Sequence, residues 1–238
     1  MKNGTEPIEA ILWDVDGTLL DFHASEREAI RALFAEFGLG ECTPEMIARY
    51  SAINDIYWKR LEKNEITKAE VLVGRFEQFF REEGLDASVA PAFNEKYQLA
   101  LGDTIVYRDD SLALVQSLRG VVKQYAVSNG TVVAQTKKLA ASGMGPLMDG
   151  IFLSEEVGAE KPNLAFFEKV FAEVYPIAPA RMIIVGDSLT SDIRGGNVAG
   201  IRTCWYNPEG KDLPAGYHVD HVISDLREVR KLLWPEQE

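Results

Sequence analysis

The residues of this 238-residue chain best suited to chemistry stand just after its short apolar runs. Asp14 and Asp16 follow Ala10–Trp13, Ser128 follows Val121–Val127, and Gly186-Asp187 follows Met182–Val185. In extended backbone Asp14 and Asp16 fall on the same side of the chain, because side chains alternate with period 2. Two close carboxylates repel, so one keeps a proton at neutral pH unless a cation intervenes. With Asp187 they are expected to form a hard-oxygen cluster that suits Mg²⁺, water and a phosphate oxygen completing the octahedron. Gly17 and Thr18 permit a tight turn whose backbone N–H groups can face a phosphate. Ser128, Asn129 and Gly130 lie just ahead of a helical stretch. They offer a hydroxyl, backbone donors and a positive helix end to the same anion. Lys161, in Glu160-Lys161-Pro162-Asn163, also precedes a helical stretch and adds a positive charge. The chemistry to which this set points is the handling of a phosphoryl group.

These residues are far apart in sequence, so the fold must bring them together. The runs Ala10–Trp13, Val121–Val127, Ile151–Leu153 and Met182–Val185 are nearly unbroken apolar segments, as expected of strands covered on both faces. Thr203–Tyr206 and Val219–Ile223 are weaker ones. Helical patterns at Thr131–Ser142, Leu164–Tyr175 and Asp192–Ala199 alternate with them. The expected architecture is an α/β, Rossmann-like parallel sheet with right-handed crossovers. In such a sheet the carboxyl ends of the strands line the ligand crevice, where these polar residues would converge. Residues 21–104 break the alternation with four amphipathic patterns, Ser25–Phe37, Thr43–Lys63, Thr67–Glu83 and Ser88–Gly102. Thr43, Thr67 and Ser88 occupy N-cap positions, and Pro44 suits a first helical position. The chain is therefore expected to divide into a core domain of residues 1–20 and 105–238 and an inserted helical cap domain of residues 21–104.

Composition narrows the partners. With 46% apolar and 26% charged residues the chain has the make-up of an ordinary globular protein. Its formal charge of −12 argues against a nucleic-acid polymer, which requires a basic footprint. A small phosphorylated metabolite remains compatible, since a metal ion can supply the missing charge locally. Cys42 and Cys204 have no metal-type spacing and are expected to be reduced thiols. The N-terminus MKNGTEPIEA lacks an apolar signal region, and no apolar run reaches the ~20 residues of a membrane span. No membrane partner is expected, and a cytoplasmic location is.

Asp14-Val15-Asp16-Gly17-Thr18, Ser128-Asn129-Gly130, Lys161-Pro162 and Gly186-Asp187-Ser188, with Asp192 five residues after Asp187, resemble the four ordered motifs of the haloacid-dehalogenase superfamily. The likeness spans essentially the whole chain, including a helical cap after the first strand. It implies a C1-type cap, Mg²⁺ and an aspartyl-phosphate intermediate. Asp14 would attack phosphorus. Asp16 would protonate the leaving alkoxide and then deprotonate water. Ser128 and backbone N–H groups would hold phosphoryl oxygens, and Lys161 would offset negative charge. The metal would fall to Asp14, the Asp16 carbonyl and Asp187, with Asp192 supporting the site or its surroundings. Dehalogenases of the superfamily lack a carboxylate at the Asp16 position, because halide leaves without a proton, so phosphoester hydrolysis is the expected reaction.

A narrower resemblance concerns the cap and the segment before Lys161. Tyr50-Ser51-Ala52-Ile53-Asn54 through Trp58, Ile66-Thr67, Gly74-Arg75-Phe76-Glu77 and Ser154-Glu155-Glu156-Val157-Gly158 are similar to bacterial pyrimidine 5′-nucleotidases. A nucleobase would then stack on an aromatic ring and hydrogen-bond Asn54 or Arg75. Gly17 departs from that subgroup, whose members often carry an acidic residue there. Trp58 and Phe76 also suit cap-helix packing, and Arg75 a surface ion pair. His23 suits a satisfied or solvated histidine, and Glu155-Glu156 a capping feature. A sugar-phosphate or phosphoglycolate phosphatase or phosphomutase is the competing enzyme. A receiver-like signalling module is the non-catalytic alternative, against which Asp16 and the large insertion speak.

Overall fold

The computed structural model describes residues 6–233. Six strands, β1 (Ala10–Trp13), β2 (Lys123–Ser128), β3 (Gly150–Leu153), β4 (Met182–Gly186), β5 (Arg202–Tyr206) and β6 (His221–Ile223), form one sheet in the order β3-β2-β1-β4-β5-β6. Every pairing is parallel. Ala10, Ile11, Leu12 and Trp13 are all fully buried, which accounts for the unbroken apolar run: both faces of the central strand are covered. On one face Leu12, Val127 and Ile184 pack with Phe166, Phe167 and Val170. Elsewhere in the interior the Trp13 indole donates to Gln124 Oε1 (3.2 Å), and the Gln124 amide donates to the Val115 carbonyl (3.0 Å). Gln124 is thereby a buried polar residue with its hydrogen bonds made.

The chain runs outward from β1 through β2 to β3, then returns to the other side of β1 for β4, β5 and β6. The direction of strand addition thus reverses at β1, the topological switch point at which open α/β sheets form a crevice. Trp13 is level with Ala126 on one side and Val185 on the other. Asp14, Ser128 and Asp187 therefore emerge from three adjacent carboxyl ends, with strands about 4.8 Å apart.

The helices are α1 (Phe22–Glu36), α2 (Pro44–Glu62), α3 (Lys68–Glu82), α4 (Ala90–Ala100), α5 (Ser111–Leu118), α6 (Val132–Ala141), the single turn α7 (Ser154–Val157), α8 (Leu164–Glu173), α9 (Arg194–Ala199) and α10 (Val229–Leu233). α1 to α4 lie in a compact unit spanning Phe22–Ile105, and the sheet and remaining helices form the other. Within the helical unit the Phe76 ring packs against Tyr50, Phe93 and Tyr97 at centroid separations of 4.9–5.1 Å. Thr43 caps α2, and Thr67 with Glu70 forms a capping box on α3. Ser88 is not a cap. Asp86 accepts from its N–H and opens a short 3₁₀ turn from which α4 starts two residues later than expected. Helix α5 was not expected from the sequence, since eight residues give too few turns for a clear period. Cys42 and Cys204 are free thiols, and no helix among the described residues is long and apolar enough to cross a membrane.

Candidate active site

β1 ends at Trp13, and Asp14 continues its pairing with one more bond, its N–H donating to the Val185 carbonyl (3.0 Å). This ties the Asp14 backbone to the end of β4. The chain then turns: Leu20 N–H donates to Val15 and Gly17 N–H to Leu20. Gly17 sits at φ +94°, and a Cβ there would lie 2.5 Å from Asp187 Oδ2. Glycine is required on both counts. Thr18 is fully buried, accepts from the Asp187 N–H (3.0 Å) and donates to Asp187 Oδ1 (3.3 Å), so the turn and the end of β4 are held together.

Carboxylate oxygens of Asp14, Asp187 and Asp192 lie within 4.8 Å of one another. All three were expected at the metal site, but the Asp16 carboxylate, expected beside Asp14, is not among them. The extended period ends with β1, so the Asp16 carboxylate does not join Asp14. Its Oδ2 accepts from Gln135 Nε2 and its Oδ1 from Lys138 Nζ, both at 2.5 Å. Asp192, expected to support the site, is brought in by a turn of π-helix over Leu189–Ile193 that follows β4. A Cβ on Gly186 would collide with the Asp192 carboxylate, which explains the glycine at the last position of β4.

Lys161 is 1% exposed, and its ammonium is fully used. It donates to Asp14 Oδ1 (2.9 Å), Asp192 Oδ1 (2.6 Å) and the Val127 carbonyl (2.9 Å). Burial alone would lower its pKa, but the charges of Asp14 and Asp192 outweigh burial and hold it above the usual ammonium range. Asp14 is pushed well above the usual carboxylate range by burial and then by the charge of Asp192, with Lys161 opposing. Asp187 is pushed up to about 7, by the surrounding protein first and by Asp192 second. Its side chain opens to solvent, which weakens both effects.

The donor set fits Mg²⁺. Asp14 Oδ2 is a buried carboxylate oxygen without a hydrogen-bond partner, and like-charged Asp187 stands beside it. A divalent cation satisfies the first and relieves the second, and all donors are hard oxygens. Asp192 is the less available ligand, since Lys161 occupies Oδ1 and the Ser188 N–H donates to Oδ2 (3.2 Å).

Ser128 closes β2 with its hydroxyl accepting from the Gly130 N–H (3.0 Å). The Gly17 and Gly130 N–H groups, expected to be anion donors, are therefore engaged within their own turns. Asn129 is also committed. Its amide donates to the Lys161 carbonyl and accepts from the Lys161 N–H, both at 2.8 Å, which locks the loop that delivers the lysine. Glu155 accepts from the Val132 N–H (2.7 Å) and so caps α6, a helix other than its own.

In the helical unit, Asn54 and Arg75 are 4% and 2% exposed and bonded to each other (2.6 Å). Arg75 also reaches Asn94 (3.3 Å) and lies over the Phe76 and Tyr97 rings, while Asn54 donates to the buried Glu26 (3.1 Å). Of the two readings that the sequence allowed Arg75, the surface ion pair is overturned: it is a buried cation stacked on aromatics. As placed, neither it nor Asn54 offers a free face to a base. Phe76 is wholly buried as well. Trp58 is half-buried, and the exposed His23 pairs with Glu26 (3.3 Å). Gln135 and Lys138 escaped the sequence reading. A signal existed: with Ala134 and Leu139 they form the buried stripe of α6, where apolar residues are the rule.

A family profile of haloacid dehalogenase-like hydrolases matches residues 8–200. The HAD-hydrolase YfnB of Bacillus subtilis is 36% identical over 222 residues, covering 93% of this chain and 91% of its own. Its crystal structure, bound to magnesium, superposes with a TM-score of 0.89 at 34% identity, covering 96% of this chain and 99% of that one. The pyrimidine 5′-nucleotidase PynA of Streptococcus pneumoniae is 36% identical over 202 residues, 83% of each chain. The pyrimidine 5′-nucleotidase YjjG of Escherichia coli is 29% identical over 224 residues, 94% of this chain and 96% of its own.

Proposed function

The chain belongs to the haloacid dehalogenase-like hydrolases, and from that premise we propose a Mg²⁺-dependent phosphomonoesterase that works through an aspartyl-phosphate on Asp14 and acts on nucleoside 5′-monophosphates. The observation that carries the chemistry is the state of Asp14. Its backbone is tied to the end of β4, Oδ1 is held by Lys161, and Oδ2 is buried and unpartnered. A carboxylate so placed meets the two needs of the reaction, an oriented nucleophile and a site for a cation.

Asp14 and Asp187 would hold the metal with the Asp16 carbonyl, and Asp192 would support it. Bound there, Mg²⁺ supplies positive charge that lets a phosphate dianion approach the carboxylates. The chain's own residues do the rest. An Asp14 oxygen bonds to phosphorus as the ester P–O bond breaks, and the proton of Asp16 passes to the departing alkoxide. Water then attacks phosphorus, Asp16 takes its proton, and the bond to Asp14 breaks. Lys161 keeps a fixed positive charge beside Asp14 throughout. Ser128, opening the turn before α6, offers its hydroxyl to a phosphoryl oxygen. These steps are mostly positioning and charge stabilisation, as phosphoryl transfer requires.

The nucleotide preference is supported by the two pyrimidine nucleotidases among the relatives, each similar over more than four-fifths of this chain. Asn54 and Arg75 do not support it directly, being committed to the interior of the cap. The test compares kcat/KM across dUMP, dTMP, AMP, phosphoglycolate and glucose phosphates with Mg²⁺. A best substrate without a base would overturn the nucleotidase reading and spare the phosphatase one. Failure to release more than one phosphate per enzyme from p-nitrophenyl phosphate would overturn both, and favour a receiver-like module.

A further inference from the structure

The Asp16 carboxylate is held by two side chains that no motif includes. Gln135 and Lys138 stand three residues apart on α6, a spacing that sets them side by side on one helix face. Both are essentially buried, at 0% and 1% exposure. Each takes a different oxygen of Asp16, Gln135 Nε2 on Oδ2 and Lys138 Nζ on Oδ1. The resulting clamp constrains the carboxylate's rotation and tilt. Its construction extends into the backbone, because a Cβ on Gly130 would strike the Gln135 side chain, its Cγ at 2.9 Å. The glycine beside Ser128 makes room for the amide that reaches Asp16. Gln135 Oε1 is buried without a partner, so the amide's orientation is set by Asp16.

We propose that Gln135 and Lys138 are positioning residues for proton transfer, which fix the Asp16 carboxylate so that its remaining lone pairs face the leaving group and then the hydrolytic water. The clamp uses one acceptor site on each oxygen, and a carboxylate oxygen has two. One site per oxygen is left to carry or take the proton while the group stays fixed. This rests on the reading of Asp16 as acid and base. It extends that reading by assigning its accuracy to α6, the helix that also follows the Ser128 turn. The two residues act through Asp16 alone. Their loss should affect the steps that move a proton and leave Asp14's attack on phosphorus alone. Misplacing a reacting group by ~1 Å costs on the order of 10²-fold in rate.

The test uses the full chain with saturating Mg²⁺ and two leaving groups. A nucleoside monophosphate leaves as an alkoxide that needs the proton, whereas p-nitrophenolate leaves without one. Lys138→Met should lower kcat on the alkyl ester by about 10–100-fold with KM little changed. The rate of the p-nitrophenolate burst should be nearly preserved. Lys138→Arg, which keeps the charge, should recover part of the loss. In an Asp16→Asn background the Lys138 substitution should cost nothing more, because residues that act through one another are non-additive. Gln135→Leu, which removes no charge, gives the same comparison should the buried methionine impair folding. A p-nitrophenolate burst slowed as much as turnover of the alkyl ester, or a full further loss in the Asp16→Asn background, would overturn the proposal. If Asp16→Asn itself fails to distinguish the two leaving groups, the acid/base reading of Asp16 falls instead, and the clamp proposal with it.

Discussion

Replacing Lys161 by Met removes the ammonium that bridges two of the clustered carboxylates. Lys161 Nζ lies 2.9 Å from Asp14 and 2.6 Å from Asp192, both buried, with Asp187 adjacent. At an effective dielectric near 20 each contact is worth about 6 kcal/mol of gross attraction. Desolvation offsets most of it, and removing one partner of a buried pair costs about 3–5 kcal/mol. Here two buried carboxylates lose their counter-ion at once, so the upper half of that range applies. For a chain of this size about 4–5 kcal/mol lowers the melting midpoint by roughly 8–20 °C. Mg²⁺ binds the same carboxylates and should stabilise the variant by mass action. The assay is thermal unfolding of wild type and Lys161→Met in EDTA and over a Mg²⁺ series. The variant should melt well below wild type in EDTA and gain more from Mg²⁺. Lys161→Arg keeps the charge but cannot reproduce three bonds converging on one nitrogen, so it should recover only part of the loss. Equal midpoints in EDTA would refute the view that Lys161 neutralises this cluster.

Three further outcomes are expected. Asp16→Asn should give a burst of about one p-nitrophenolate per active site followed by slow turnover, with one phosphoryl group on the intact protein by mass spectrometry; Asp14→Asn should give neither. Gly17→Ala, at φ +94° and with its Cβ 2.5 Å from Asp187 Oδ2, should cost about 1–3 kcal/mol of stability and weaken Mg²⁺ binding, read by calorimetric titration. In EDTA, stability should fall as pH rises. Asp14 and Asp187 hold protons more tightly in the folded chain than in the unfolded one, so their contribution is complete below the unfolded value near 4 and is lost as pH passes through about 7 for Asp187. Saturating Mg²⁺ should flatten that slope, and a melting series from pH 5 to 8 with and without the metal measures it.

The placement of Asp14, Ser128 and Asp187 was legible in the sequence because it depends on local pattern. Unbroken apolar runs mark strands covered on both faces, and parallel strands deliver the residues after them to one edge of the sheet. The cap helices were legible for the same reason, with Thr43 and Thr67 marking two of their starts. Which carboxylates meet was a different matter. Period 2 pairs Asp14 with Asp16 only while the chain stays extended, and the turn at Val15–Leu20 ends that extension. Asp192 enters from a different strand end, and Gln135 and Lys138 from a different helix, at sequence separations of 119 and 122 residues from Asp16. Arg75 gives the same lesson within the cap. Its charge suited a base contact or a surface ion pair, whereas Asn54, Asn94 and the faces of Phe76 and Tyr97 together make a buried position tolerable. Local pattern determines which elements form and which residues stand at their ends. Which partner each buried charge finds is decided by tertiary packing, because a desolvated ion is stable only where several distant groups converge on it.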